Sequence, residues 1–75
     1  MKYFVTEIQV YDGGGVSTPT TAHDSLNAAN AKYHQVLASA AVSKLPVHAA
    51  IMYVDEGYAI KGECFKHGEE AQSDG

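Results

Sequence analysis

Residues 24–54 of the chain read DSLNAANAKYHQVLASAAVSKLPVHAAIMYV, and this stretch decides the fold. From residue 25 to residue 43, apolar side chains recur at spacings of three and four, which predicts a helix. The stripe that we expect to lie on a sheet consists of Leu26, Ala29, Tyr33, Val36, Leu37 and Ala40. Asp24 is the predicted N-cap, and Pro46 prevents the helix from continuing. The residues that follow, 47–54, are predicted to form a strand.

Strands are predicted on both sides of the helix. Residues 2–11 are rich in β-branched and aromatic types, and the glycine run at 13–15 then predicts a turn. Residues 16–22 are predicted to return along a sheet edge, because Pro19 has no amide hydrogen to donate to a neighbouring strand. A last strand is predicted at residues 58–66. The order β-β-α-β-β predicts an α+β fold with a four-stranded, mainly antiparallel sheet and one helix on one face.

Alternation along the strands predicts which side chains face the helix. In the first strand, the more apolar set is assigned to the core: Phe4, Thr6, Ile8 and Val10. In the strand at 47–54, the set assigned to the helix is Val47, Ala49, Ile51 and Tyr53. The set beside His48 that is assigned to the other face is Ala50, Met52 and Val54. Cys64 falls opposite Ala49 in the predicted hairpin, so its thiol is expected to be buried in the core.

Length and cysteine content bound the domain and its compartment. The chain has 75 residues, which we divide into one domain at residues 1–67 and an acidic tail at 68–75, predicted to be disordered. Cys64 is the single cysteine, so no disulfide forms within the chain. Because there is no signal peptide and no run of ~20 apolar residues, the expected location is the cytoplasm, away from a membrane.

Charge and motif content argue against several function classes. The net charge is −4, the five lysines are scattered and arginine is absent, so we expect no nucleic-acid partner. Cys64 and His67 stand three apart on a predicted strand and point to opposite faces, which is poor geometry for a metal. The glycine run does not open a helix, as a phosphate-binding loop would. We therefore expect neither an enzyme nor a metal or cofactor site.

Surplus apolar surface predicts self-association. The predicted helix carries a single fixed charge, Lys32, and the strand at 47–54 is apolar on both faces. A domain of this size has a marginal core, which a partner subunit can stabilise. The alternative is that the alanines of the helix are simply good helix formers. We expect a homo-oligomer.

Six residues are candidates for binding a small ligand. Imidazoles and lysines can bind an anion without arginine, and a tyrosine ring can stack on a base. The candidate ligand-binding residues are Lys32, Tyr33, His34, His48, Tyr53 and His67. Tyr33 or Tyr53 is expected to stack on a base, and the other four residues are expected to face phosphate groups. The alternative is that these residues bind no ligand and are ordinary polar groups of the surface.

The stretch at residues 32–52, KYHQVLASAAVSKLPVHAAIM, resembles a group of short phage and prophage proteins. The opening YFVTEI at residues 3–8 and the closing CFKH at residues 64–67 are similar to the same group. The resemblance implies a small phage-encoded protein in the host cytoplasm. Short phage proteins that assemble as compact oligomers include anti-defence sponges, which capture nucleotide immune signals in pockets between subunits.

These expectations combine into one leading function and one alternative. The leading function is a non-catalytic, phage-encoded, homo-oligomeric binding protein that sequesters a nucleotide-derived immune signal of the host. The alternative is a protein–protein interaction module that inhibits or adapts a host protein, for which an acidic chain with an exposed apolar sheet face is suited.

Overall fold

A computed structural model of the chain describes residues 1–67, and these residues form the predicted α+β fold. The elements in chain order are β1 (Tyr3–Val10), β2 (Val16–Ser17), β3 (Thr20–His23), α1 (Leu26–Ala41), β4 (Val47–Val54) and β5 (Ala59–Phe65). The bounds of β4 are those predicted, and the other long elements are shorter than predicted by one or two residues at their ends. The tail predicted at residues 68–75 lies outside the described residues.

The sheet is antiparallel throughout, with the strand order β2-β1-β4-β5. The returning strand predicted at residues 16–22 is divided into β2 and β3, which pair with the same side of β1. The interruption falls at Thr18 and Pro19, where proline supplies no amide hydrogen, but the carbonyl of Pro19 still accepts from the amide of Glu7 at 2.9 Å. The helix then carries the chain across β1, because β3 and β4 lie on opposite sides of that strand.

The helix begins one residue later than the predicted N-cap. Ser25 adopts extended backbone angles, φ −131° and ψ 152°, and its hydroxyl accepts from the amide of Ala28 at 3.1 Å. The prediction of Asp24 as the cap was wrong because that carboxylate pairs with the ammonium group of Lys2. The hydrogen bond and charge of Lys2 lower the pKa of Asp24 below its usual value.

The helix packs on the face of the sheet opposite to the one predicted. Its buried side chains lie against Val5, Ala50 and Met52, and this cluster forms the core. The register defines the helix-covered face by the strand residues Tyr3, Val5, Glu7, Gln9, Ser17, Thr21, His23, His48, Ala50, Met52, Val54, Lys61, Glu63 and Phe65. The face predicted to be core in β1 and β4 therefore points away from the helix, and both assignments were wrong.

The other side of the sheet, called here the open face, has no helix or strand of residues 1–67 packed on it. It is defined by the strand residues Phe4, Thr6, Ile8, Val10, Val16, Thr20, Ala22, Val47, Ala49, Ile51, Tyr53, Ala59, Gly62 and Cys64. A bulge between the partners of Met52 and Tyr53 shifts the register, so that Ala59 lies opposite Tyr53. The described domain thus has two layers, the helix and the sheet, and the uncovered side of the sheet is its open face.

Candidate functional site

The open face carries no charged side chain at any of its strand positions. The charged side chains of the strands all lie on the helix-covered face: Glu7, Lys61 and Glu63. A half-covered sheet normally shows the reverse, with apolar residues towards the helix and charged residues towards water. The uncharged open face is therefore poorly suited to contact with water, and it is the candidate functional site.

A depression of about 270 Å³ lies on the open face between β1, β4 and β5. Its lining consists of the open-face residues Ile8, Ala49, Ile51, Gly62 and Cys64, together with Ala50 and Glu63, whose positions in the strand register belong to the helix-covered face. The depression exists because the residues in this part of the face are small. At Gly62, an added Cβ would stand 3.4 Å from the carbonyl oxygen of Ala50 and 3.5 Å from Cγ1 of Ile51, so a larger side chain there would occupy part of the hollow.

Cys64 lies in this depression, and its side chain is exposed. The predicted register is confirmed, since Cys64 is opposite Ala49. The prediction that the thiol is buried in the core was wrong, because this pair is on the open face and the helix is on the other. The thiol is consequently accessible to reagents in the single chain.

An aromatic pair occupies another part of the open face. The rings of Phe4 and Tyr53 are stacked, with centroids 5.3 Å apart and planes at 29°. The hydroxyl of Thr6 lies 3.0 Å from that of Tyr53 and 2.7 Å from that of Thr20. The hydroxyl of Thr20 also donates to the carbonyl oxygen of Thr18 at 3.3 Å, so all three hydroxyl hydrogens have an acceptor and this part of the open face can lose its water without leaving a donor unpaired.

The three candidate ligand-binding residues on the helix do not form a common pocket. Tyr33 is buried, with 3% of its surface exposed, and its ring packs under the ammonium group of Lys61 at 5.0 Å. Burial, and secondarily the charge of Glu63, raise the pKa of Tyr33 above its usual value. Lys32 is half-buried and His34 is exposed, with the His34 ring 5.7 Å from that of Tyr33. Tyr33 is a core residue and cannot stack on a base in this arrangement.

The two candidate histidines outside α1, His48 in β4 and His67 after β5, are both hydrogen-bonded within the chain. His48 is buried on the helix-covered face, where its Nε2 lies 2.5 Å from a carboxylate oxygen of Glu7. Its Nδ1 has no hydrogen-bond partner among residues 1–67. The Nε2 of His67 lies 2.7 Å from the carbonyl oxygen of Ala40, near the end of the helix. The imidazole of His48 therefore links β4 to β1, and that of His67 links the chain after β5 to the end of α1.

The six predicted residues are divided between the two faces of the sheet. Tyr53 is on the open face, whereas Tyr33 and His48 are on the helix-covered side, so the structure does not bring the predicted set together. The residues that the prediction missed are Phe4, Thr6, Ile8, Thr20, Ile51, Gly62 and Cys64. The alternation along β1 could have indicated this face. The set that begins at Phe4 contains no charged residue, whereas the set that begins at Tyr3 contains Glu7.

Residues 1–67 contain neither the side-chain cluster of a metal site nor a helix that could span a membrane. No group of three or more histidine, cysteine, aspartate or glutamate side chains in that range is arranged to hold a metal ion. The helix in that range is neither long nor apolar enough to span a membrane.

The chain was also compared with known proteins. No protein-family model matches it, and searches of curated proteins and of solved structures found no significant match.

Proposed function

We propose that the protein is a non-catalytic binding protein that works as a homo-oligomer, with the open face as the surface through which copies associate. The observation that carries the proposal is the absence of charge from that face. Contiguous apolar surface of a few hundred Å² on a soluble protein marks a site of interaction. Charged residues are depleted at the centre of protein interfaces, because a buried charge loses its hydration.

The size of the domain favours the same conclusion. A domain of fewer than about 80 residues has a core that supplies little net stability, because much of its surface stays in contact with water. Burying about 800 Å² per subunit, half of it apolar, contributes on the order of 10 kcal/mol gross per subunit at ~25 cal/mol per Å². This gross gain is comparable with the whole stability of a small domain.

In its most specific form, the protein is phage-encoded and sequesters a nucleotide-derived immune signal in the host cytoplasm. The resemblance of residues 32–52 to short phage proteins supports this form. Of the two tyrosines assigned to base stacking, Tyr53 keeps the role, because it lies on the open face where subunits meet. Exposed His34 and half-buried Lys32 lie on the helix, across the sheet from Tyr53, so within one chain they cannot reach the phosphates of a base stacked on Tyr53. Buried Tyr33 and His48 are withdrawn from the site.

The alternative function is a module that inhibits or adapts a host protein. The depression beside Cys64 favours it, since a hollow of about 270 Å³ in an uncharged face accepts an apolar side chain of a partner. Both functions use the open face, and they differ in what occupies it.

Native mass spectrometry of the protein after exposure to a phage-infected lysate tests these functions. We expect a discrete oligomer, and for the nucleotide form an additional mass of a few hundred daltons per site. Ile51→Glu, in the middle of the open face, is expected to give monomers. Ser39→Glu adds the same charge to the exposed side of the helix and serves as the matched control.

A monomer at every accessible concentration would contradict the homo-oligomer. A monomer in complex with one host protein would support the alternative function. An oligomer broken by Ser39→Glu but not by Ile51→Glu would move the interface from the sheet to the helix.

A further inference from the structure

The open face has its largest and its smallest side chains at different places. Phe4 and Tyr53 stand side by side as a stacked pair, whereas Ala49, Gly62 and Cys64 leave the depression. Along β4, Tyr53 and Ala49 are four residues apart, which corresponds to about 14 Å. A protrusion and a hollow therefore share one face, with Ile51 midway between them.

We infer that the open face packs against the open face of a second copy about a two-fold axis near Ile51, so that each aromatic pair covers the depression of the other copy. This inference rests on the proposed function and names the arrangement of its interface. A two-fold interface brings the same patch of both subunits together, and it must be complementary to itself. A protrusion and a hollow on either side of the axis satisfy that condition. If the axis lies between the two sheets and crosses β4 at Ile51, a half-turn places the protrusion of each copy over the hollow of the other.

The area of the face agrees with a second copy as its occupant. β1 and β4 have eight residues each, about 27 Å at ~3.4 Å per residue, and four strands ~4.8 Å apart span roughly 19 Å. The flat area is about 500 Å², and the relief of the side chains adds to it. Specific interfaces bury from about 600 to about 1,000 Å² per partner, and the face with its relief approaches the lower end of that range. One open face thus supplies what a small dimer needs.

The charge distribution also favours self-packing. The chain has a net charge of −4, so two copies repel each other except where they present uncharged surface. The open face is such a surface, and Glu7, Lys61 and Glu63 are behind it on the other side of the sheet. Its only cluster of hydroxyl groups, Thr6 with Thr20 and Tyr53, is already internally hydrogen-bonded. Contact between two open faces therefore buries no charged side chain from an open-face strand position, because these positions hold none, and it leaves no polar group of this cluster without a partner.

The single thiol of the unmodified protein reports on this packing. Cys64 is exposed in one chain, and in the inferred dimer the aromatic pair of the second copy covers it. We expect the rate of alkylation by iodoacetamide to fall about ten-fold or more as the protein concentration rises through the range in which light scattering shows dimers. The control is Ser39→Cys in a Cys64→Ser background. This thiol is on the exposed side of the helix, so its rate should not depend on concentration.

A bismaleimide cross-linker tests the position of the axis independently. In Tyr53→Cys, the new thiol should link to Cys64 of the second copy, since facing sheets are about 10 Å apart. Val16→Cys, on the same face but on the edge strand β2, is the control and should not link. Circular dichroism checks that both variants fold.

The outcomes separate the inferred packing from the proposed function. Dimers with a freely reacting Cys64 and no Tyr53→Cys link would overturn the packing and leave the homo-oligomer intact. Monomers at all concentrations would overturn both. Protection of Cys64 that appears only when a host protein is added would overturn the packing and assign the open face to that partner.

Discussion

The two faces of the sheet are made from alternate residues of the same strands, yet they differ in what covers them and in charge. The helix-covered face holds the core, with Val5 and Met52 almost fully buried, and also holds Glu7, Lys61 and Glu63. The open face has neither a covering element within residues 1–67 nor a charge. In a two-layer domain that works alone, charge belongs on the side facing water. The reversed distribution is what a face covered by another chain would require.

Charges on the helix-covered face are tolerated because they have partners or reach the edge of the sheet. Glu7 meets the imidazole of His48, and Lys61 extends over the ring of Tyr33. Buried polar groups without partners cost free energy, so these contacts allow the core face to be the more polar one. The comparison shows that the more apolar face of a strand is not always the face that the helix covers.

The largest difference between the faces should appear when one apolar side chain is removed from each. Met52→Ala leaves a cavity under the helix, and we expect it to lower the free energy of unfolding by about 2–4 kcal/mol. Ile51→Ala, the next residue along β4, is half-buried on the open face and should cost less in the isolated subunit. Urea denaturation at concentrations below the association range measures both. Equal losses would mean that the open face is already packed within one chain.

A smaller effect is expected from the polar pair beneath the helix. Glu7→Ala removes the acceptor that lies 2.5 Å from Nε2 of His48, leaving a buried imidazole without its partner at a cost of about 1–3 kcal/mol. Glu63→Ala is the matched control, because Glu63 is exposed and flanks Ala50 on the opposite side from Glu7. We expect a change within about 0.5 kcal/mol for the control. Urea midpoints compare the two, and similar losses would contradict a structural role for the pair.

The smallest effect is expected from alkaline pH. The pKa of Tyr33 is raised in the folded chain, so above pH ~10 the unfolded chain releases this proton first and the folded state loses stability. Below that pH the phenol is neutral in both states and contributes no pH dependence. Tyr33→Phe should therefore flatten part of the decline in unfolding free energy between pH 9 and pH 11, whereas Tyr58→Phe, at an exposed ring, should not. An unchanged slope in Tyr33→Phe would show that its phenol is solvated.

Most of the fold was predictable because local signals were strong. The spacing of apolar residues located the helix, and Pro46 separated it from β4, whose bounds were predicted correctly. The glycine run and Pro19 indicated a turn followed by an edge strand. The break of that strand into β2 and β3 was missed, because the extent of pairing depends on β1 as well as on local sequence.

The candidate site was harder to predict than the fold. Tyr33 and His48 were chosen for their chemistry, but a helix stripe and a buried strand place both in the interior. Cys64 was assigned its correct cross-strand neighbour and the wrong face. Asp24 was chosen as N-cap from residue type, and the long-range ion pair with Lys2 leaves that position to Ser25. Each error concerns a contact between residues far apart in the chain.

Residue order alone was enough to determine the α+β class, the order of the elements and the existence of two alternating sets of strand residues, because these follow from backbone preferences and from periodicity. It was not enough to determine which set the helix covers. That choice depends on where the crossover from β3 to β4 passes, and the chain passes on the side of Val5, Ala50 and Met52. The physical reason is that both sets are apolar enough to be buried. Only the three-dimensional connection selects one set for the helix and leaves the other, uncharged set uncovered within residues 1–67.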